Sequence, residues 1–411
     1  MTHPIIIIGA GLAGWTTARE FRKLDATTPV MVITADSGDF YAKPSLSNAF
    51  AQGRTPAQLV TTPAAKMVET LNITLLAHTR VSAIHPTTRS ISTAQGEFSY
   101  SQLVLATGAQ SIRVPVAGNA ADQVQSINSL DDFSVFHARL TGVRRCENAS
   151  ESQPQTAYGK HVLIMGAGLI GCEFANDLAA SGYRVTVVDP ATGPIAALLP
   201  PDTSLQLREA LAALGVTWHF GATVKSVNTS VDGLTDPIFP PLEVELSNGQ
   251  VAFVDIVLSA IGLRADMALA QAAGLTCDRG LVVDAMLQTS APHIFALGDS
   301  AQYAVGRPLP YVMPLMSAAK VLALTLSGTR TELAFPLMPV AVKTSALPIV
   351  VAAPAPGTAG DWRTAEPGIW QFLDAKGQAH GFVLAGKQTA RRMEQSKLVM
   401  TREGTSVRAL A

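Results

Sequence analysis

The chain opens on four consecutive isoleucines, Ile5 to Ile8, and the apolar run breaks at Gly9-Ala10-Gly11-Leu12-Ala13-Gly14. A strand-length run with no polar alternation predicts a strand covered on both faces, as in a parallel sheet. A helix opened at Gly11 and a second apolar run, Val30 to Ile33, complete a strand–helix–strand unit. The pattern then returns. Val162 to Met165 leads into Gly166-Ala167-Gly168-Leu169-Ile170-Gly171, and Val185 to Val188 supplies the second strand of that unit. An internal repeat of one fold is the economical explanation.

The connecting segments are less regular. Short alternating segments between residues 72 and 106 end in Leu103-Val104-Leu105 and the small-residue turn Ala106-Thr107-Gly108, and Ser259-Ala260-Ile261-Gly262 forms a second such turn. A helix is predicted over Leu205 to Leu214, and an apolar one beginning near Met313. The polar stretch Arg144 to Gly159 reads as a surface loop, and Asn228 to Leu242, with Pro237, Pro240 and Pro241, as irregular. Residues 329 to 411 have their own rhythm of short strands. The predicted fold is therefore α/β: two Rossmann-like dinucleotide-binding domains, at 1–113 with 264–328 and at 114–263, plus a small α+β C-terminal domain at 329–411.

The two glycine fingerprints carry the chemistry. In each, the first Gly permits a tight turn, the second lets backbone approach a pyrophosphate, and the third lets helix pack on strand. The helix N-terminus then faces the phosphates. Acids about 20 residues on, Asp36 and Asp189, are placed to accept hydrogen bonds from ribose hydroxyls. At Asp189 a carboxylate would repel a 2′-phosphate, so NADH is expected over NADPH. Two dinucleotide sites on one chain imply a bound flavin, FAD, and a mobile nicotinamide.

Candidates for the flavin site are Gly9, Gly11, Leu12, Ala13, Gly14, Asp36, Arg80, Val81, the Ala106-Thr107-Gly108 turn, Asp299 and Val312. Lys43 and Pro44, in the turn Tyr41-Ala42-Lys43-Pro44-Ser45-Leu46-Ser47, place a cation where it could face an electron-rich reduced flavin. For NAD the candidates are Gly166, Gly168, Leu169, Ile170, Gly171, Glu173, Asp189 and Gly262. Pro310, Tyr311 and Val312 are candidates for the acceptor-side wall.

Composition removes several classes. The 411 residues carry 30 Lys plus Arg against 31 Asp plus Glu, a net charge of −1, which leaves no footprint for nucleic acid. Apolar stretches are strand-sized and the chain's start has no signal-like run, so a cytoplasmic protein without stable membrane insertion, and a monomer, is expected. The three cysteines, Cys146, Cys172 and Cys277, show no spacing for a metal, a cluster or a redox dithiol, and Ser45-Leu46-Ser47-Asn48 offers no thiol beside the flavin. Cys172 is expected to be buried and inert. Electrons must pass from flavin directly to an external acceptor, with no catalytic acid or base required.

The fingerprints, Lys43-Pro44-Ser45-Leu46-Ser47, Ala106-Thr107-Gly108 and Leu297-Gly298-Asp299 together resemble the pyridine-nucleotide flavoprotein reductases of glutathione-reductase-like fold. More narrowly, Gly171-Cys172-Glu173-Phe174-Ala175-Asn176-Asp177-Leu178, Tyr311-Val312-Met313-Pro314-Leu315-Met316 and Met338-Pro339-Val340-Ala341-Val342-Lys343-Thr344 resemble the rubredoxin–NAD reductases. The resemblance covers nearly the whole chain. It implies that Asp299 and Lys43 bind FAD, that Glu173 lies near the nicotinamide, and that NADH electrons pass to rubredoxin, a small acidic iron protein, feeding a hydroxylase or an oxygen- or stress-reducing chain. The chain departs in having Ser300 where the family often has Cys, a polar insertion around Asn148 to Tyr158, and a longer C-terminus. Reduction of a ferredoxin or flavorubredoxin, a membrane-surface quinone reductase, and an NADH-sensing flavoprotein without acceptor turnover are the competing readings. Cations Lys320, Lys343, Lys387, Arg391, Arg392 and Lys397 are candidates for steering an acidic partner.

Overall fold

The computed structural model describes residues 3–142, 159–231 and 241–400. Cys146, the insertion around Asn148 to Tyr158, nearly all of the polar stretch before the second fingerprint, most of the proline-containing loop and the C-terminal tail lie outside the described residues.

Two lobes are built on one plan. In the first, a five-stranded parallel sheet has the spatial order Ile294–Ala296, Gln102–Leu105, Ile5–Ile8, Val30–Ile33, Thr74–Leu76. In the second, the order is Gln125–Ser126, Ile256–Ser259, His161–Met165, Arg184–Asp189, Thr217–Phe220. Each lobe also inserts a three-stranded antiparallel sheet immediately before, in chain order, a strand that flanks its fingerprint strand: Val81–His85, Ser90–Thr93 and Gly96–Ser99 before Gln102–Leu105 in one, Val224–Thr229, Leu242–Leu246 and Val251–Val254 before Ile256–Ser259 in the other. The shared insertion supports an internal repeat independently of the glycines.

All four isoleucines of Ile5–Ile8 are buried, as are all five residues of His161–Met165, because both faces are covered: in the second lobe Val162 and Ile164 pack with helix residues such as Phe174 and Leu178, and Leu163 and Met165 with Val227, Leu242 and Val244 of the antiparallel sheet. The order reverses beside each fingerprint strand, at Ile5–Ile8 against Gln102–Leu105 and at His161–Met165 against Ile256–Ser259. A crevice opens at that reversal in doubly wound sheets. The chain leaves the first lobe along Ala109–Ser111 and returns along Leu263–Ala265, and these two segments pair antiparallel between the lobes.

The C-terminal part is a five-stranded antiparallel sheet ordered Val340–Val342, Ile349–Ala352, Ala379–Ala385, Ile369–Leu373, Asp361–Glu366, followed by helix Arg392–Met400. One face joins the core of the second lobe: Val342, Ile349, Val351, Trp370 and Val383 share a cluster with Phe174, Leu178 and Leu46. The helix expected over Leu205 to Leu214 begins a turn earlier, at Pro201, and ends at Ala213. Pro201 stands at the first helical position and Asp202 in the first turn, both start signals that outrank the first leucine.

Candidate functional site

A single cleft of about 1840 Å³ runs between the lobes and touches both fingerprints. That exceeds the roughly 300–1,000 Å³ of a drug-sized ligand site, leaving room for more than one ligand.

The glycines divide by role. Gly9 has φ +108°, and a Cβ there would lie 2.3 Å from the Ala106 carbonyl oxygen; Gly14 would meet the Gly9 carbonyl oxygen at 1.9 Å. Gly166, at φ +103°, would meet the Ala260 carbonyl oxygen at 2.7 Å, and Gly171 the Gly166 carbonyl oxygen at 2.0 Å. These four hold turn against strand. Gly11 and Gly168 differ: nothing lies within 4 Å of the Cβ position, because each faces the cleft. Helices Leu12–Arg22 and Leu169–Ala180 start without a side-chain cap or an acid in the first turn. Their first N–H groups are left for a ligand, and the cradle fits a pyrophosphate at each end.

Apart from Gly14 and Gly171, all the sequence-derived candidates line this cleft: Gly9, Gly11, Leu12, Ala13, Asp36, Lys43, Pro44, Arg80, Val81, Ala106, Thr107, Gly108, Asp299 and Val312, with Gly166, Gly168, Leu169, Ile170, Glu173, Asp189 and Gly262. Gly14 and Gly171 are packing glycines, as the third position requires.

The acids are less free than their sequence positions suggest. Asp36 accepts from the Thr34 hydroxyl at 2.7 Å and the Gly38 N–H at 3.0 Å, and Trp15 Nε1 fixes the same loop by donating to the Gly38 carbonyl at 3.0 Å. Asp189 accepts from the Ala167 N–H at 2.6 Å and the Ala191 N–H at 2.7 Å, tying it to the fingerprint loop. Both bonds to Asp36 fall on Oδ1, which leaves Oδ2 with acceptor capacity, and each Asp189 oxygen accepts only one, so both carboxylates can still take a ligand hydroxyl. Asp299 follows Gly298, whose φ is +79° and whose N–H donates to the buried Tyr303 hydroxyl at 2.9 Å. Among the described residues the Asp299 carboxylate takes no protein hydrogen bond, leaving it for ligand hydroxyls. Burial pushes its pKa up and the Lys43 charge pulls it down. Lys43, solvent-accessible through the open cleft yet ringed by protein, has its pKa lowered by desolvation and raised again by Asp299.

Glu173 is a junction. Its carboxylate is buried and accepts from the Ser47 hydroxyl at 2.7 Å, the Lys343 N–H at 3.0 Å and the Lys343 ammonium at 2.6 Å, while that ammonium also reaches Ser47 Oγ at 2.9 Å and the Pro44 carbonyl. Lys343 was among the steering cations; its charge is spent here. Asn176 and Asp177, three and four residues on and so on the same helix face, continue the clamp. Asn176 bonds the Ser345 hydroxyl and the Ala346 N–H, each at 3.0 Å, and Asp177 accepts from Phe50 N–H at 3.0 Å and Ala51 N–H at 2.8 Å. Arg391 is likewise neutralised, by Glu366 at 2.7 Å and Glu394 at 2.6 Å, whereas Arg392 is exposed and lines the cleft. Cys172 is fully buried and its thiol points at the Ala167 carbonyl at 3.3 Å, with burial raising its pKa. Sequence reading placed Asn176 and Asp177 in a motif but gave them no role, and did not single out Asn128; the polar triplet on an otherwise apolar buried helix was the available signal for the first two.

The family description "Pyridine nucleotide-disulphide oxidoreductase" matches residues 3–320, and "Rubredoxin binding C-terminal domain" matches residues 332–399. The chain is 41% identical over 398 residues to a rubredoxin-NAD(+) reductase of Alcanivorax borkumensis, covering 96% of this chain and 98% of that one. It is 39% identical to a nitric oxide reductase FlRd-NAD(+) reductase of Aeromonas salmonicida, covering 94% of each. A ferredoxin reductase from Rhodopseudomonas palustris superposes with TM-score 0.83 at 26% identity, over 99% of this chain and 96% of that one. An NADH:rubredoxin oxidoreductase from Clostridium acetobutylicum shares the fold, with TM-score 0.75 at 19% identity over 98% and 96%.

Proposed function

The chain belongs to the pyridine nucleotide-disulphide oxidoreductase family, and from that premise we propose that it oxidises NADH at a bound FAD and reduces rubredoxin. One observation carries the reading: the cleft reaching both phosphate cradles is also lined by Met338 to Ala341, inside the segment matching a rubredoxin-binding domain. FAD when bound supplies the step between a two-electron donor and a one-electron acceptor. The protein supplies placement. Gly11 and Gly168 admit the two pyrophosphates, Asp299 takes flavin-side hydroxyls, and Lys43 offers its positive charge to the flavin.

Glu173 forms the cleft wall on the nicotinamide side, held still by Ser47 and Lys343. Asp189 favours NADH through its remaining lone pairs and by repelling a 2′-phosphate. With Cys172 buried and Ser45 to Asn48 free of thiol, electrons leave to the docked partner without a protein relay. We place the protein in the cytoplasm as a monomer; no helix among the described residues is long and apolar enough to cross a membrane, and Cys172 and Cys277 are unpaired.

A flavorubredoxin is the second acceptor to consider, given the Aeromonas relative. Stopped-flow reoxidation of the reduced holoprotein by purified rubredoxin, flavorubredoxin and ferredoxin tests the reading. Rubredoxin is expected to turn over fastest, and brisk ferredoxin reduction with none for rubredoxin would overturn it.

A further inference from the structure

Asn128 is held at three points. Its Nδ2 donates to the Ala109 carbonyl at 2.7 Å, its backbone N–H donates to Asp132 Oδ2 at 3.0 Å, and its Oδ1 accepts from Lys43 Nζ at 3.2 Å. Each anchor is itself fixed. Ala109 heads the strand that joins the lobes, directly after the Ala106-Thr107-Gly108 turn. Asp132 lies in the first turn of helix Leu130–Thr141, where the Ser129 hydroxyl accepts from the Asp132 N–H at 3.0 Å and the Tyr41 hydroxyl accepts from the Leu130 N–H at 3.0 Å. The amide cannot be inverted without cost: turned over, it would set its oxygen against the Ala109 carbonyl and its NH₂ against an ammonium. Asn128 thus presents oxygen to Lys43 from a rigid mount.

Lys43 needs such a mount. A lysine stem is flexible and its ammonium a compact point charge, and the exposed Lys43 stands in an open cleft with Asp299 as the principal opposing charge. Resting on the reading of Lys43 given above, we propose that Asn128 is a positioning residue that holds the Lys43 ammonium at the cleft wall, where it biases the flavin toward its reduced form. The family resemblance gave Lys43 a role but gave none to Asn128.

The test uses the FAD-loaded protein and reads the flavin midpoint potential, not turnover. A fixed ammonium beside the ring favours the electron-rich form, so Lys43→Met lowers the potential. Asn128→Ala lowers it in the same direction by a fraction of that shift, and adds nothing further in the Lys43→Met background. A purely structural role would instead lower Tm equally in both backgrounds and leave the potential unmoved. Asn128→Ser, too short to span both partners, gives the same readout where Asn128→Ala does not fold. Additive shifts in the double variant, or no shift from either Asn128 variant beside a clear one from Lys43→Met, would overturn the proposal. No shift from Lys43→Met would overturn the underlying reading of the lysine, a separate failure.

Discussion

The Lys343 ammonium lies 2.6 Å from Glu173 Oε2, with the Lys343 side chain 32% exposed and the Glu173 side chain 8%. One partner comes from the C-terminal sheet's edge and the other from the helix that opens at the second fingerprint. Removing one member of a buried pair typically costs roughly 3–5 kcal/mol, because the other charge is left buried and unpaired. Lys343 keeps partial access to water, which lowers the toll. Lys343→Met is therefore expected to destabilise the protein by about 2 kcal/mol, read as a fall in Tm with early proteolytic release of the C-terminal sheet. Glu173→Gln, which keeps an acceptor for Ser47, should cost less.

The contrast between Gly11 and Gly9 separates binding from folding. Gly11 has φ −74° and open space beside it, so Gly11→Val should leave an intact fold whose side chain fills the pyrophosphate cradle. The flavin-to-protein absorbance ratio should fall to near zero while the apoprotein Tm holds. Gly9→Ala should do the reverse in kind, because its Cβ meets backbone at 2.3 Å in a left-handed conformation, and it should fold poorly. Full flavin occupancy in Gly11→Val would remove the assignment of that fingerprint.

Much of this was legible in advance, and for a physical reason. Glycines that must adopt positive φ or let two backbones touch have no substitutes, so Gly9, Gly14, Gly166 and Gly171 mark their turns in the sequence itself. Unbroken apolar runs marked the strands beside them because both faces are covered. Side chains whose partners are distant in sequence left no such trace. Glu173 showed in the motif, but its partner Lys343 lies far along the chain and looked like a surface cation. Asn128 sits in a short loop where an amide has no characteristic spacing, and only the fold brings it to Lys43 and Ala109.

Asp189 carries two loads at once, which shapes what its variants do. Its oxygens accept from Ala167 and Ala191, so Asp189→Ala should loosen the fingerprint loop as well as remove ribose contacts. Hydrogen bonds to a charged group are worth about 1.5–3 kcal/mol, so kcat/KM for NADH should fall at least roughly tenfold. The value for NADPH should fall less, since repulsion of the 2′-phosphate is lost with the charge. An unchanged NADH-to-NADPH ratio in Asp189→Ala would show that selectivity lies elsewhere.

The last expectation concerns the partner encounter, and the pairing of charges sharpens it. Of the six cations that the sequence offered for steering, Lys343 is bound to Glu173 and Arg391 to Glu366 and Glu394. Arg392, Lys387, Lys320 and Lys397 are exposed, and Arg392 alone of these four lines the cleft. An acidic rubredoxin should therefore feel Arg392 most. The bimolecular rate of rubredoxin reduction should fall steeply with salt, because the Debye length shrinks from about 10 Å at 0.1 M to about 3 Å at 1 M. Arg392→Ala should lower that rate at low salt and flatten its salt dependence, whereas Arg391→Ala, which removes a charge already compensated by two carboxylates, should do little beyond a small loss of stability. Flavin reduction by NADH, followed separately, should respond weakly to either change. Stopped-flow traces of both half-reactions across this range decide the matter, and a rubredoxin rate equally sensitive to Arg391→Ala and Arg392→Ala would mean that bare charge at this helix, not its place on the cleft lining, guides the partner.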